Sequence, residues 1–153
     1  MSELLDEGQC RCGNVRFQGE GEPLITMACH CRGCQRMSAS AFSLSSLYPA
    51  GRFRVTDGEP VRGGLGTGPN HMFCGSCMTW LYTVPEGMDA FVNVRSTLLD
   101  NGEEHRPFIE AHRGEGFDWA NSGAARTYER VPDDSEFGNL ITAYGEWDER
   151  VKQ

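Results

Sequence analysis

The sequence predicts a mainly β protein built from small antiparallel sheets, with one amphipathic helix at its carboxyl end. Three observations lead to this fold class. Glycine is abundant, at 19 of 153 residues, and together with 7 prolines it divides the chain into short segments. Apolar and polar residues alternate in several of these segments, as they do in half-buried strands. Helical periodicity occurs in the last part of the chain.

Six segments are predicted to be strands. Residues 14–18 and 42–48 alternate apolar and polar side chains. Residues 23–29 and 80–84 are more continuously apolar, as in buried strands, and residues 89–95 and 108–113 are the remaining two predicted strands. Glycine-marked turns such as Asp57–Gly58 and Asn101–Gly102 separate them. Short strands joined by tight turns favour antiparallel pairing.

The carboxyl-terminal segment is predicted to be helical. An apolar stripe follows a candidate cap at Asp133, Asp134 or Ser135, and it consists of Leu140, Ile141, Tyr144, Trp147 and Val151. Gly138 and Gly145 each weaken such a helix by about 1 kcal/mol relative to alanine. We therefore expect the helix to gain its stability by packing, either on the sheet or on another subunit in a homo-oligomer.

The length suits one domain, residues 1–128, followed by an acidic extension, residues 129–153. The formal net charge of −8 repels phosphate groups, so neither nucleic acid nor an anionic membrane is an expected partner. No apolar run approaches the roughly 20 residues that span a bilayer, and the amino terminus is acidic where a secretion signal is basic. These features predict a cytoplasmic protein, in which cysteines serve as metal ligands or catalytic thiols more often than as disulfides.

All seven cysteines fall into three clusters: Cys10-x-Cys12, Cys29-x-Cys31-x-x-Cys34 and Cys74-x-x-Cys77. Zinc takes four tetrahedral ligands, and structural zinc sites usually combine two pairs that are distant in sequence. The two outer clusters then form a closed site of four thiolates, from Cys10, Cys12, Cys74 and Cys77. The remaining Cys29, Cys31 and Cys34 would hold a second zinc with one coordination position free, so we expect two zinc ions per chain.

The two predicted sites differ in what they can do chemically. A zinc with four thiolates has no vacancy and can only cross-link the chain, whereas a zinc with three thiolates can accept a substrate. Three thiolates also make the metal a poor Lewis acid for generating hydroxide. It should instead bind another soft ligand, and a thiol in that position is deprotonated by coordination. The sequence therefore predicts a substrate that contains sulfur.

Other interpretations of the cysteines remain open at this point. Three disulfides with one leftover thiol satisfy the count. Both metals are structural if a histidine closes the second site, the candidates being His30, His71, His105 and His112. The protein is then a non-enzymatic zinc module that binds a protein partner. A further alternative is a thiol or metal sensor whose three-cysteine cluster exchanges metal under oxidation.

With the clusters placed, the sequence resembles the glutathione-dependent formaldehyde-activating enzyme family, which includes centromere protein V-type domains. The resemblance covers roughly three quarters of the chain, and it follows GQCRCGNVRF (8–17), CHCRGC (29–34), HMFCGSCMTWLY (71–82), VNVRSTLLD (92–100) and RPFIEAH (106–112). It implies a zinc-stabilised β-tent fold over residues 1–128. It also implies structural zinc at Cys10, Cys12, Cys74 and Cys77 and catalytic zinc at Cys29, Cys31 and Cys34.

The resemblance further implies a carbon–sulfur lyase or synthase. In the founding activity, the thiol of glutathione adds to formaldehyde and gives S-hydroxymethylglutathione. A thiolate that attacks a carbonyl carbon suits an open site of three thiolates. The partner is accordingly a small-molecule thiol such as glutathione.

Substrate contacts are predicted beside the three-cysteine cluster. Arg32 and Arg36 can make bidentate contacts to a carboxylate, or they can be solvated. A later segment of the chain can line the substrate pocket or pack in the core, and its candidate residues are His112, Phe117 and Trp119. Arg95 is equally suited to an internal ion pair.

The chain departs from the family pattern at two places. In the family, the last pair of cysteines is usually followed by glycine, as C-x-x-C-G, but in this chain Met78 follows Cys77. The stretch MSASAF, residues 37–42, also lacks an expected glycine. These departures leave the metal ligands intact and bear on the identity of the substrate.

Overall fold

The computed structural model describes the backbone of residues 4–151 and the side chains of residues 4–147. Within that part of the chain, eleven β-strands and two α-helices are joined by turns and short 3-10 segments. The strands are β1 Leu5–Gln9, β2 Arg16–Glu20, β3 Ile25–Cys29, β4 Ser43–Pro49, β5 Phe53–Asp57, β6 Pro60–Gly63, β7 Asn70–Cys74, β8 Trp80–Val84, β9 Phe91–Arg95, β10 Ile109–Ala111 and β11 Arg126–Thr127. The helices are α1 Arg32–Ser38 and α2 Phe137–Val151. Neither of these two helices is long and apolar enough to cross a membrane.

A small antiparallel sheet has the strand order β1-β2-β5. Its buried face carries Phe17, which packs in a core with Val15, Tyr48 and Leu81. The strand predicted at residues 14–18 begins at Arg16, because the preceding residues form a turn. In that turn the backbone amide of Cys10 donates to the carbonyl of Val15.

The larger sheet has eight strands in the order β11-β10-β3-β4-β9-β8-β7-β6. Its middle strands β3, β4, β9 and β8 coincide with four of the segments predicted from the sequence. They pair antiparallel, with Cys29 opposite Ser43 in β3 and β4 and Ser45 opposite Arg95 in β4 and β9. The prediction of a mainly β protein with antiparallel sheets is confirmed.

One edge of the larger sheet pairs in parallel, which the sequence did not predict. β10 runs parallel to both β3 and β11, and it places Ala111 beside Cys29. Roughly eighty residues separate β3 from β10 in sequence, so their pairing is not restricted to a hairpin. This edge brings the residues around Glu110 to the end of β3, where the second cysteine cluster begins. The β-tent arrangement that the resemblance implies stays a prediction.

Helix α1 was also missed, because seven residues are too few to show helical periodicity. It begins directly after Cys31, whose Sγ accepts a hydrogen bond from the backbone amide of Cys34 at 3.3 Å. It ends at Ala39, which adopts a left-handed conformation with φ +51°. The helix thus connects the second cysteine cluster to β4.

The predicted carboxyl-terminal helix is confirmed as α2. Leu140 and Tyr144 are buried against the larger sheet, in a core with Ile25, Phe108 and Ile109. Of the predicted caps, Asp133 begins a 3-10 turn before α2 and accepts from the amide of Ser135 at 2.9 Å. The partner of the apolar stripe is therefore the sheet. The side chain of Val151, the last position of that stripe, lies outside the described side chains.

Candidate metal centres

The first candidate centre joins the two sheets. Cys10 and Cys12 lie in the turn that follows β1 of the small sheet. Cys74 ends β7 of the larger sheet, and Cys77 lies in the turn before β8. The four Sγ atoms all lie within 4.8 Å of one another. We call these four residues the knuckle cluster.

The spacing of these sulfur atoms fits a tetrahedral zinc site. Sγ of Cys12 lies 3.6 Å from Sγ of Cys10 and 3.8 Å from Sγ of Cys74. Zn–S bonds of about 2.3 Å in a tetrahedron place the sulfurs about 3.8 Å apart. A disulfide needs an S–S distance of about 2.05 Å, and all seven cysteines are free thiols. The geometry therefore gives the disulfide interpretation no support.

Backbone and side-chain donors point at the knuckle sulfurs. The amide of Val15 donates to Sγ of Cys10 at 3.3 Å, and the amide of Cys77 donates to Sγ of Cys74 at 3.4 Å. A hydrogen bond with the hydroxyl of Thr79 is the main cause of the low pKa of Cys77, about 5. Such donors stabilise thiolates, which are the form that binds zinc.

The second candidate centre consists of Cys29, Cys31 and Cys34, which we call the trio. Cys29 ends β3, Cys31 caps α1, and Cys34 lies in its first turn. Their Sγ atoms also lie within 4.8 Å of one another, and all three side chains are half-buried. Within the described part of the chain, no histidine or carboxylate belongs to this group. The trio thus offers three of the four ligands that zinc takes.

The thiols of the trio differ in acidity. The hydrogen bond from Cys29 is the largest contribution to the low pKa of Cys34, about 5, and Ser43 and the positive charge of Arg95 contribute further. The pKa of Cys29 is raised, chiefly because it shares this hydrogen bond with Cys34 and because it is buried. Hydrogen bonding within the trio thus favours the thiolate of Cys34 over that of Cys29.

His30 lies between two trio cysteines but turns away from them, as expected for neighbours in an extended segment. Its ring is fully buried, and Nε2 lies 2.7 Å from Oε1 of Glu110. Glu110 also accepts hydrogen bonds from Thr127 at 2.8 Å and Ser122 at 3.2 Å. Burial opposes ionisation of Glu110, but these hydrogen bonds outweigh it and lower its pKa.

The other three histidines also have partners away from the trio. Nδ1 of His71 lies 2.8 Å from the hydroxyl of Thr83, and Nδ1 of His112 lies 3.3 Å from Glu115. His105 lies in a loop but is buried, with Ser46 2.8 Å from Nδ1 and Asp6 3.3 Å from Nε2. The structure therefore does not bring a histidine to the trio as its fourth ligand.

A pocket of about 420 Å³ opens beside the trio. Ser43, whose side chain interacts with Cys34, lines it, and so does Arg95. The rest of the lining is mostly apolar and consists of Met37, Ser38, Ser40, Phe42, Leu44, Met78, Trp80, Thr97 and Leu98. A larger cleft of about 590 Å³ lies between His105, Glu22 and Tyr144, and neither Ser43 nor Arg95 lines it.

Arg95 lines the pocket beside the trio, and its surroundings differ from the internal ion pair that the sequence suggested for it. Only 9% of it is exposed, and its guanidinium lies 4.0 Å from the centre of the Trp80 ring. No carboxylate pairs with it among the residues that the structure describes. Burial lowers the pKa of Arg95 to about 10, and the negative charges of Cys34 and Cys29 oppose that shift. Arg95 stays charged at neutral pH, but the expected internal ion pair with an acidic side chain does not form.

The predicted substrate contacts lie on the outer side of the trio. The guanidinium of Arg32 donates to the side chain of Gln35 and lies 5.9 Å from the centre of the Phe117 ring. Arg36 is exposed in the last turn of α1. Phe117 stacks on Trp119 with ring centres 5.5 Å apart, and Trp119 is 78% exposed. These two aromatic residues do not pack in the core.

Both departures from the family pattern fall where the backbone is left-handed. Met78 has φ +60° and Ala39 has φ +51°, conformations that glycine adopts without steric cost. Met78 is exposed and lines the pocket beside the trio. The substitution of the expected glycine therefore places a flexible thioether at the entrance of that pocket.

The chain is similar to a solved structure and matches a family model. A crystal structure of a Rhodobacter sphaeroides protein is similar, with 22% identity over 61% of this chain and 87% of that chain and a TM-score of 0.49. No curated protein matches. The family model described as glutathione-dependent formaldehyde-activating enzyme matches residues 6–114, which is more than half of the chain and includes both cysteine clusters. The chain therefore belongs to the glutathione-dependent formaldehyde-activating enzyme family.

Proposed function

We propose that this protein is a zinc-dependent carbon–sulfur lyase or synthase that acts on a thiol adduct. The observation that carries the proposal is the trio, in which three thiols converge beside a pocket of about 420 Å³ with no fourth ligand from the described residues. Membership of the family supports an enzyme and a glutathione-related thiol as its partner. The proposed reaction is the addition of glutathione to formaldehyde, which gives S-hydroxymethylglutathione.

The reaction forms one carbon–sulfur bond. The thiol loses its proton, the sulfur attacks the carbonyl carbon, and the carbonyl oxygen takes up a proton to become a hydroxyl group. Zinc at the trio would supply an open coordination position at which a thiol ionises. Cys29, Cys31 and Cys34 are proposed to hold that zinc, and a second zinc at the knuckle cluster is proposed to be structural.

The residues of the chain then orient the substrate. Backbone donation from Cys34 to Cys31 fixes the first turn of α1, and hence the direction of two of the three thiols. Arg32 and Arg36 stay predicted contacts for a substrate carboxylate. We also retain, as proposals, a zinc domain over residues 1–128, an acidic extension over residues 129–153 and a cytoplasmic location.

The test is the rate of exchange between free formaldehyde and its glutathione adduct, measured by NMR exchange spectroscopy on the zinc-loaded protein. We expect the protein to accelerate the exchange above the uncatalysed rate. Cys31→Ser should abolish the acceleration, since it removes a trio ligand, while the knuckle cluster keeps the chain folded. Exchange at the uncatalysed rate with the wild-type protein would exclude the named reaction and favour a non-enzymatic zinc module.

A further inference from the structure

The pocket beside the trio contains a buried cation without an acidic partner. Arg95 ends β9, is 9% exposed and lines the pocket. Its Nε is buried and has no hydrogen-bond partner in the described part of the chain. Burying a charged group without a partner is costly, so an unpaired buried cation that lines a pocket is a candidate site for an anionic ligand.

Three neighbours stabilise the charge of Arg95. Trp80 contacts it through the ring face, at 4.0 Å from the ring centre, which is a cation–π contact. Cys34 and Cys29 act on it through their negative charge. Nε of Arg95 makes no hydrogen bond to any described residue, and a guanidinium presents its donors in a planar fork that matches a carboxylate.

We propose that Arg95 binds a carboxylate of the thiol substrate inside this pocket. The inference rests on the proposed function, because a thiol held at the trio fixes the other end of the molecule. Ser43 connects the two ends, since it interacts with Cys34 and lines the same pocket as Arg95.

The remaining walls define the body of the substrate. Apolar side chains line most of the pocket: Met37, Phe42, Leu44, Met78, Trp80 and Leu98. They suit a hydrocarbon segment between the thiol and the carboxylate. The substrate class is therefore a small organic acid that carries a thiol.

The test is isothermal titration calorimetry of the zinc-loaded protein with two matched pairs of probes. One pair is 3-mercaptopropionate and its amide, and the other is 4-mercaptobutyrate and its amide. In each pair the thiol and the chain length are the same, and only the negative charge differs. We expect at least one of the two acids to bind about tenfold more tightly than its amide, since hydrogen bonds between charged groups are the stronger kind.

Two variants of Arg95 identify the source of that preference. Arg95→Met keeps an unbranched apolar chain beside Trp80 and should remove the preference for the acid. Arg95→Lys keeps the charge but loses the planar donors, so it should retain only part of the preference. Arg62→Met is the matched control, because Arg62 is exposed on β6, at the far edge of the larger sheet. The Arg62→Met variant should bind all four probes with the same affinities as the wild-type protein.

The outcomes separate this inference from the proposed function. Equal binding of acid and amide in the wild-type protein would overturn the role of Arg95 while leaving thiol binding at the trio intact. A preference that persists in folded Arg95→Met would also overturn it and would favour Arg32 or Arg36. If none of the probes binds, thiol binding at the trio fails as well. If Arg95→Met does not fold, the comparison of acid and amide binding to the wild-type protein and to Arg95→Lys still tests the role of Arg95.

Discussion

Nε2 of His30 lies 2.7 Å from Oε1 of Glu110, and both side chains are buried at the point where β10 runs beside the end of β3. Cys29 and Cys31 flank His30 in sequence. The pair therefore anchors the backbone from which two trio thiols project. Gly116 closes over the ring so tightly that a Cβ there would lie 2.8 Å from Nδ1 of His30.

Replacing Glu110 tests this anchor. Glu110→Ala leaves His30 and two hydroxyl donors without their acceptor, so we expect the free energy of unfolding to fall by about 3 kcal/mol. Glu110→Gln keeps one carbonyl oxygen and should cost about 1 kcal/mol. Urea unfolding of the zinc-loaded protein measures both, with the exposed Glu103→Ala as the control. Equal stability of Glu110→Ala and Glu103→Ala would contradict the anchoring role.

Replacing single cysteines distinguishes the two metal centres. We expect about two zinc ions in the wild-type chain and about one in Cys31→Ser, which should remain folded. Cys77→Ser should unfold, because the knuckle cluster joins the two sheets and structural zinc contributes on the order of 10 kcal/mol to folding. Elemental analysis and circular dichroism measure the two effects. A Cys31→Ser protein as unstable as Cys77→Ser would make the trio structural.

Glycine at either left-handed position should stabilise the protein. Met78→Gly and Ala39→Gly each remove the steric cost of a side chain at positive φ, which is about 1 kcal/mol for residues other than glycine. Part of this gain is offset because glycine adds freedom to the unfolded chain. We therefore expect each variant to raise the free energy of unfolding by about 0.5 kcal/mol, measured by urea unfolding. Thr67→Gly, in an exposed turn, is the control. Loss of stability in Met78→Gly would show that packing of the Met78 thioether outweighs its backbone strain.

The buried carboxylate of Asp6 should stabilise the fold throughout the neutral pH range. Burial opposes its ionisation, but hydrogen bonds with His105, Tyr48 and Asn101 outweigh burial and lower the pKa of Asp6 from 3.8. A carboxylate with a lowered pKa contributes fully above its unfolded value and loses that contribution only as the pH falls through the folded value.

Asp6→Asn should therefore lower the free energy of unfolding by about 2 kcal/mol at pH 7, and the difference at pH 6 should be no smaller than the difference at pH 8. Chemical denaturation at the three pH values measures it, and exposed Asp100→Asn serves as the control. A difference that shrinks from pH 8 to pH 6 would contradict the assignment.

The packing of α2 on the sheet should contribute strongly to stability. Leu140 is buried between the helix and the core that contains Phe108 and Ile109. Leu140→Ala removes this contact and leaves a cavity, so we expect a loss of about 3 kcal/mol. Asn139→Ala, on the exposed side of the same helix turn, should change stability by less than about 0.5 kcal/mol. Thermal unfolding measures both. Equal effects would indicate that the helix is not part of the cooperative unit.

Much of the fold could be predicted because local patterns determine it. The continuous apolar run at Trp80–Val84 gives a strand with the predicted bounds, and the stripe around Leu140 gives the helix. The strands β1, β5, β6, β7 and β11 were missed; β5 and β6 contain no buried residue, and β11 is only two residues long. Their positions depend on pairing with neighbouring strands, which periodicity does not record.

The residues of the candidate site, too, could be predicted only in part. Cysteine spacing alone grouped the seven thiols as the structure groups them. Arg95 and Glu110 reach the trio only through the pairing of β4 with β9 and of β3 with β10. No local signal reveals such contacts. The apolar residues that precede Arg95 in the run Phe91–Arg95 were the one available sign that this arginine ends a buried strand.

The separation of the two cysteine clusters along the chain has a consequence for synthesis on the ribosome. The trio is complete within six residues and is available once residue 34 has emerged, whereas the knuckle cluster needs Cys77, more than forty residues later. An incomplete nascent chain can thus already capture a metal ion while the two sheets are still unjoined. Metal content by itself is therefore a poor measure of how many molecules have reached the native state.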